Sequence, residues 1–131
     1  MLRGSCYCGD IRYKVKGAPF HQTNCHCSIC RRTTGAPYVT WFSVSRADFR
    51  FTAGQPNRFR STQKGIRSFC PRCGTQLTFE HEDQDEIDIT TCSLEDPERV
   101  PPEDHIHTGS KPSWVALSDG LPCHRESRSE D

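Results

Sequence analysis

Apolar positions in this chain recur every second residue, in short runs, and nowhere hold a helical period of 3.6 for more than a turn or two. Ile11-Arg12-Tyr13-Lys14-Val15 alternates apolar and polar side chains, the mark of a half-buried strand, and Gly17-Ala18-Pro19 ends it. Tyr38 to Val44 is dense in aromatic and β-branched residues and predicts a buried strand. Phe49 to Thr52 and Arg58 to Ser61 predict two short strands around a turn at Gly54-Gln55-Pro56-Asn57. Ile66 to Phe69 and Gln76 to Glu80 bracket a Cys-Pro-Arg-Cys-Gly turn. Glu86 to Thr90 alternates again, and the acidic stretch from Glu80 to Asp88 reads as the cap of a hairpin. Ile106 and Trp114 to Leu117 are candidates for a late edge strand. The one helical candidate is a turn or two at Ser28 to Thr33. The pattern predicts an all-β domain with little helix.

Length and composition sharpen that picture. A chain of 131 residues fits one domain, expected over residues 1–124. The polar remainder, 125–131, reads as a frayed tail. Apolar residues make up only 33%, lean for a self-sufficient core, so a staple such as bound metal is expected. No run approaches the roughly 18 apolar residues of a membrane span. The first residues, Met1 to Cys6, have neither the apolar run nor the cleavage site of a signal peptide. The expected compartment is therefore the cytoplasm, where thiols stay reduced and clustered cysteines serve metal or catalysis rather than bridges.

Basic and acidic residues balance at 17 each, but unevenly. Residues 1–79 hold thirteen Lys/Arg and two Asp/Glu, and residues 80–131 hold four and fifteen. The basic part would attract an anion, unless the two parts simply offset each other in the fold.

Seven of the nine cysteines fall in three clusters: Cys6-Tyr7-Cys8, Cys25-His26-Cys27-Ser28-Ile29-Cys30, and Cys70-Pro71-Arg72-Cys73-Gly74. Zn²⁺ takes thiolates in a tetrahedron, and ligands two to four residues apart reach one ion when a tight turn wraps around it. Cys70 to Gly74 has the form of a zinc knuckle, in which glycine supplies the backbone freedom that turns amides toward sulfur. A knuckle gives two ligands, and Cys6 with Cys8 is the other such pair. Cys6, Cys8, Cys70 and Cys73 are therefore assigned to one closed structural zinc site. Cys25, Cys27 and Cys30 give three ligands within six residues. Three ligands and one open position is the pattern of a catalytic zinc, and a thiolate-rich zinc is better suited to binding an incoming thiol than to making hydroxide. A redox pair, or a closed site with a hidden fourth ligand, would use the same residues. Arg31 and Arg32 follow at once, placed to offset thiolate charge or to hold a substrate carboxylate.

These motifs together resemble the glutathione-dependent formaldehyde-activating enzymes and their relatives, which include centromere protein V. The resemblance rests on Cys6-Tyr7-Cys8-Gly9, on Cys25 to Arg32 followed by Gly35-Ala36-Pro37, and on Phe69 to Gly74. A late His105-Ile106-His107 with Lys111 and Trp114 also matches. It covers roughly residues 2–122, and the joint spacing of the three clusters is specific where any one alone is not. The resemblance implies a β-tent fold of stacked antiparallel sheets, with a structural zinc at Cys6, Cys8, Cys70 and Cys73 and a catalytic zinc at Cys25, Cys27 and Cys30. It also implies a carbon–sulfur lyase activity joining glutathione to formaldehyde as S-hydroxymethylglutathione. A small-molecule thiol and a small carbonyl compound are the expected partners.

The alternative from another class is a non-catalytic zinc module that binds nucleic acid or a protein through a basic face built from Arg46, Arg50, Arg58, Arg60, Lys64 and Arg67. Against it stand the absence of a stacking motif and the acidic half, which would repel phosphates. Among the remaining residues, Cys92 reads as a small buried hydrophobe and Cys123 as a free exposed thiol. Trp41 and Trp114 read as core, and His26 as a residue turned away from the metal. His105 and His107 are expected to share one strand face, as packing or surface histidines first and proton carriers or ligands second.

Overall fold

A computed structural model, which describes residues 1–128, arranges the alternating segments as ten strands in two sheets with one short helix. In chain order these are β1 (Leu2–Ser5), β2 (Arg12–Val15), β3 (Phe20–Cys25), α1 (Ser28–Thr34), β4 (Val39–Ser45) and β5 (Phe49–Ala53). There follow β6 (Asn57–Arg60), β7 (Gly65–Phe69), β8 (Gln76–His81), β9 (Glu86–Thr90) and β10 (Asp104–Ile106). The smaller sheet runs β1-β2-β5 and the larger runs β10-β3-β4-β9-β8-β7-β6. All pairings are antiparallel except that of β10 with β3. The fold is all-β, a β-tent of stacked antiparallel sheets, as the resemblance implies.

Side chains alternate across a strand, and this divides the larger sheet into two working faces. Phe42 and Val44 of β4, with Ile87 and Ile89 of β9, join Tyr13 and Val15 of β2 and Ile11 just before it in the main core. Each such side chain contributes about 1.5–3 kcal/mol on burial. The intervening residues face the other way. Ser43, Asp88, Phe79 and Arg67 stand opposite one another across β4, β9, β8 and β7 in one row. They look toward α1, where Cys25, Cys30, Val39 and Trp41 form a second, smaller cluster.

Several elements differ from expectation. β1 and β3 carry no strong apolar alternation, and the pattern does not predict them. β3 holds its place by polar pairing: the buried Asn24 accepts from Thr40 Oγ1 at 2.5 Å, and Thr23 Oγ1 donates to Asp104 O at 3.4 Å. The turn at Gly54 to Asn57 does not close a hairpin, because β5 and β6 belong to different sheets. Gly54, at φ +74°, packs against Asp10 at this crossing, where a side chain would collide with Ile11. The late strand is limited to β10; Trp114 to Leu117 forms none, and Trp114 is 74% exposed rather than core. Cys92 is exposed too. It sits in a 3-10 turn just past β9, where the alternation ends and Thr91 takes the buried position. Of the expected frayed tail, Arg125 to Arg128 lies against β10 and the turn after it: His107 N donates to Glu126 O at 2.8 Å, and Arg128 forks onto the Asp104 carboxylate at 2.9 and 3.0 Å. Ser129 to Asp131 fall outside the described residues. Among the described residues no helix is long and apolar enough to cross a membrane.

Candidate metal centres

Cys6, Cys8, Cys70 and Cys73 converge at one edge of the main core, their sulfurs all within 4.8 Å of one another. Two turns of the same kind present them. In the first, Gly9 takes φ +85° and its amide donates to Cys6 O, while Ile11 N donates to Cys6 Sγ at 3.3 Å. In the second, Gly74 takes φ +80°, and the amides of Arg72 and Cys73 both donate to Cys70 Sγ at 3.4 Å. Amides aimed at sulfur stabilise thiolate, and the hydroxyl and amide of Thr75 lower Cys73 to about 5. The Cys6–Cys8 and Cys8–Cys70 sulfurs lie 3.6 and 3.7 Å apart. A disulfide needs about 2.05 Å. A tetrahedron with metal–sulfur bonds of about 2.3 Å has edges of about 3.8 Å, so these residues fit a zinc ion.

Cys25, Cys27 and Cys30 form the second group, again within 4.8 Å, and no other His, Cys, Asp or Glu of the described residues joins it. Cys25 ends β3; Cys27 caps α1, its sulfur accepting from Cys30 N at 3.2 Å. Hydrogen bonds from Cys25 and Cys30 pull the Cys27 thiol down to about 2, and the same contacts push Cys25 up. Three sulfurs this close cannot all ionise unless positive charge is shared among them.

Part of that charge comes from Arg67. The residue is only 4% exposed, and its guanidinium reaches Cys30 Sγ at 3.7 Å, Thr33 Oγ1 at 3.3 Å and Ser61 Oγ at 3.2 Å. It lies 4.8 Å over the Phe79 ring and 5.9 Å from that of Trp41. A buried cation that touches only hydroxyls, rings and a thiol calls for negative charge nearby. Three thiolates with one divalent cation carry a net −1, which Arg67 balances. The donor set therefore fits a zinc ion here as well.

The row of residues on this face floors a cavity of about 320 Å³ into which the three cysteines open. Trp41, Phe79 and Ile106 give it apolar walls, and Arg67, Asp88 and His107 add polar groups. Distance from bulk water raises Asp88 to about 6, against the pull of the Ser43 hydroxyl, which donates to Oδ1 at 2.6 Å. Behind the cysteines, His26 and His105 are both fully buried. His26 Nε2 meets His105 Nδ1 at 2.9 Å, and His105 Nε2 meets Asp119 Oδ2 at 2.8 Å. Burial, with His105 and Lys111 nearby, lowers His26 to about 4.

Residues 1–110 match the family described as "Glutathione-dependent formaldehyde-activating enzyme". The chain belongs to this family. A "Putative glutathione-dependent formaldehyde-activating enzyme" of Halomonas elongata is 30% identical over the whole chain and 85% of that relative. The crystal structure of a Rhodobacter sphaeroides protein has the same fold, with a TM-score of 0.63 and 19% identity over 93% of this chain and 98% of that one.

In this member of the formaldehyde-activating family, all seven cysteines singled out from sequence fall into the two expected groups. His105 and His107 part company: His105 packs against His26, while His107 passes beyond β10 into left-handed backbone at φ +56° and lines the cavity. Arg31 donates to Ser110 O at 3.3 Å, and it is Arg67, rather than Arg31 or Arg32 as expected, whose guanidinium reaches a sulfur of the group. By sequence Arg67 belongs to an exposed basic face and Asp88 to a solvated cap. Only their shared strand parity with Trp41 and Phe79 marks them as neighbours of the cysteines.

Proposed function

We propose that this protein binds a low-molecular-weight thiol, glutathione in the first instance, at Cys25, Cys27 and Cys30 and adds it to a small carbonyl compound such as formaldehyde, or releases it from the adduct. This is a carbon–sulfur lyase activity of the kind that gives S-hydroxymethylglutathione. The observation that carries the proposal is the three-cysteine group with no fourth protein ligand among the described residues, opening into a cavity that also holds a buried arginine and a carboxyl group. Zinc held by these three cysteines would supply a Lewis acid with one position left for a substrate sulfur, lowering the pKa of that thiol. Cys6, Cys8, Cys70 and Cys73 would hold a second zinc in a closed, structural site.

The chain's own residues do the rest. Arg67 balances the charge of the cysteine group and orients Cys30. Trp41, Phe79 and Ile106 exclude water around the reacting atoms, and holding thiol and carbonyl together in a small cavity replaces a bimolecular encounter by a positioned one. A nucleic-acid role draws little support. Arg46 and Arg58 both pair with Glu80 at 2.6 Å, Arg60 pairs with Glu82 and Lys64 with Asp83, so the acidic hairpin neutralises most of the basic strand face.

The test is the rate of hemithioacetal formation from glutathione and formaldehyde with the zinc-loaded protein. The expected result is acceleration above the spontaneous rate, lost in Cys27→Ser. A rate equal to the spontaneous one, with both sites loaded, would refute the activity.

A further inference from the structure

We propose that Asp88 is the proton carrier of this site: its carboxylate takes the proton that the incoming thiol gives up and returns it to the carbonyl oxygen. The inference rests on the activity proposed above and assigns it a catalytic group outside the cysteines. In the step, the thiol S–H bond breaks and its proton moves to the Asp88 carboxylate. Sulfur then forms the C–S bond, the C=O π pair moves to oxygen, and Asp88 delivers the proton there to make the hydroxyl. Thiol plus carbonyl becomes hemithioacetal, Asp88 ends as it began, and no other reactant is needed. The reverse step uses the same group to remove the hydroxyl proton.

Three observations carry this. First, the register places Asp88 in the floor of the cavity that the cysteines open into, in the row Ser43, Asp88, Phe79, Arg67, and Arg67 touches Cys30. Asp88 is thus two strands from the arginine, about 10 Å between backbones at strand spacing, with Phe79 between them, and all three line the same cavity. Second, among the carboxylates of the cavity Asp88 is the one held in place. Ser43 fixes one oxygen at 2.6 Å, whereas Glu86 starts β9 opposite Ser45 and faces His21 at 3.7 Å. Third, the groups facing it tune it from several sides. Burial raises its pKa most, and Glu86 on its own strand raises it further; Ser43 from β4, His21 from β3 and Arg67 from β7 lower it; Phe79 from β8 stands opposite it in the row. The balance lies near 6, close enough to neutrality for one carboxyl group to serve as both base and acid.

A proton count fixes the pH signature. The thiol brings the one proton the product needs, so the free enzyme must start with Asp88 ionised. The kcat/KM holds steady above the Asp88 pKa and falls about tenfold per pH unit below it, alike for formation and breakdown. The experiment measures both directions from pH 5 to 8 on the zinc-loaded full chain, Asp88→Asn and Ser43→Ala, with glutathione binding followed by calorimetry. Asp88→Asn, which keeps an acceptor for Ser43, should bind glutathione within about twofold of wild type. It should lose about 100-fold or more in rate and lack the acid limb. Ser43→Ala should move that limb to higher pH, because it removes a hydrogen bond to the charged form. An Asn variant with wild-type rate or an intact acid limb overturns the assignment. So does an unmoved limb in Ser43→Ala, which decides the matter if the Asn variant fails to fold. If the wild type itself does not accelerate the reaction, the underlying activity is refuted before Asp88 is considered, and the assignment falls with it.

Discussion

Replacing Arg67 by methionine isolates the charge that balances the three-cysteine site. Methionine fills similar space and keeps contact with Phe79 and Trp41, but it removes the cation that lies 3.7 Å from Cys30 Sγ. At an effective dielectric of about 20, unit charges at that distance interact by about 4–5 kcal/mol. Less than this is lost, because the net −1 of a loaded site is spread over three sulfurs and the arginine no longer has to be desolvated. A hydrogen bond to a charged group is worth about 1.5–3 kcal/mol, so metal affinity at this site should fall roughly ten- to hundredfold. The hydroxyl of Thr33 keeps its bond to Cys30 O at 2.9 Å and Ser61 is only part-buried, so the fold should survive. Competition with a chromophoric chelator, with circular dichroism as the folding control, reads the effect. Arg67→Met with wild-type affinity at both sites, or with weakened affinity at the four-cysteine site instead, would refute the charge-balance argument.

Three other perturbations separate the parts of the account. Cys8→Ser or Cys70→Ser should unfold the chain or collapse its thermal melt, since this site joins segments 62 residues apart and structural zinc contributes folding free energy directly; a wild-type melt with full zinc content would contradict it. Cys27→Ser or Cys30→Ser should lose one zinc per chain by elemental analysis and keep most of the fold, because Cys25, Cys27 and Cys30 are local in sequence; global unfolding would make that site structural. Gly4→Ala should lower Tm by several degrees, about 1–3 kcal/mol of overpacking. The added methyl would collide with the Tyr13 ring and lie 2.7 Å from Ser93 O, and an unchanged melt would mean that β1 is free to shift.

The sequence is most legible where chemistry and spacing coincide. Cys6, Cys8, Cys70 and Cys73 group together from their spacing alone, because a thiolate pair on a tight turn needs a second pair and only one is available. Strands such as Glu86 to Thr90 are legible because one face is buried against apolar neighbours and the other is polar. The same rule misleads at Arg67 and Asp88. A charged residue alternating with apolar ones normally faces water, but here Arg67 reaches Cys30 and Thr33 of α1 across that face, and Asp88 lines the cavity beside them. β3 is hidden for a related reason, since Thr23 and Asn24 are buried through hydrogen bonds rather than by apolar transfer. Trp114 and Cys92 fail in the opposite sense: size and apolarity suggest burial, but Cys92 lies in the turn just past β9 and Trp114 in a turn well beyond β10, and both are exposed.

The central claim is that Cys25, Cys27 and Cys30 hold a metal with a place for a substrate thiol, and cobalt substitution tests it most directly. With both sites loaded with Co²⁺, glutathione should change the visible spectrum of the three-cysteine site and leave that of the four-cysteine site alone. The change should strengthen as pH rises toward the free thiol's pKa of roughly 8–9. A spectrum that does not respond to glutathione with the three-cysteine site fully loaded, together with no heat of binding, would contradict the account.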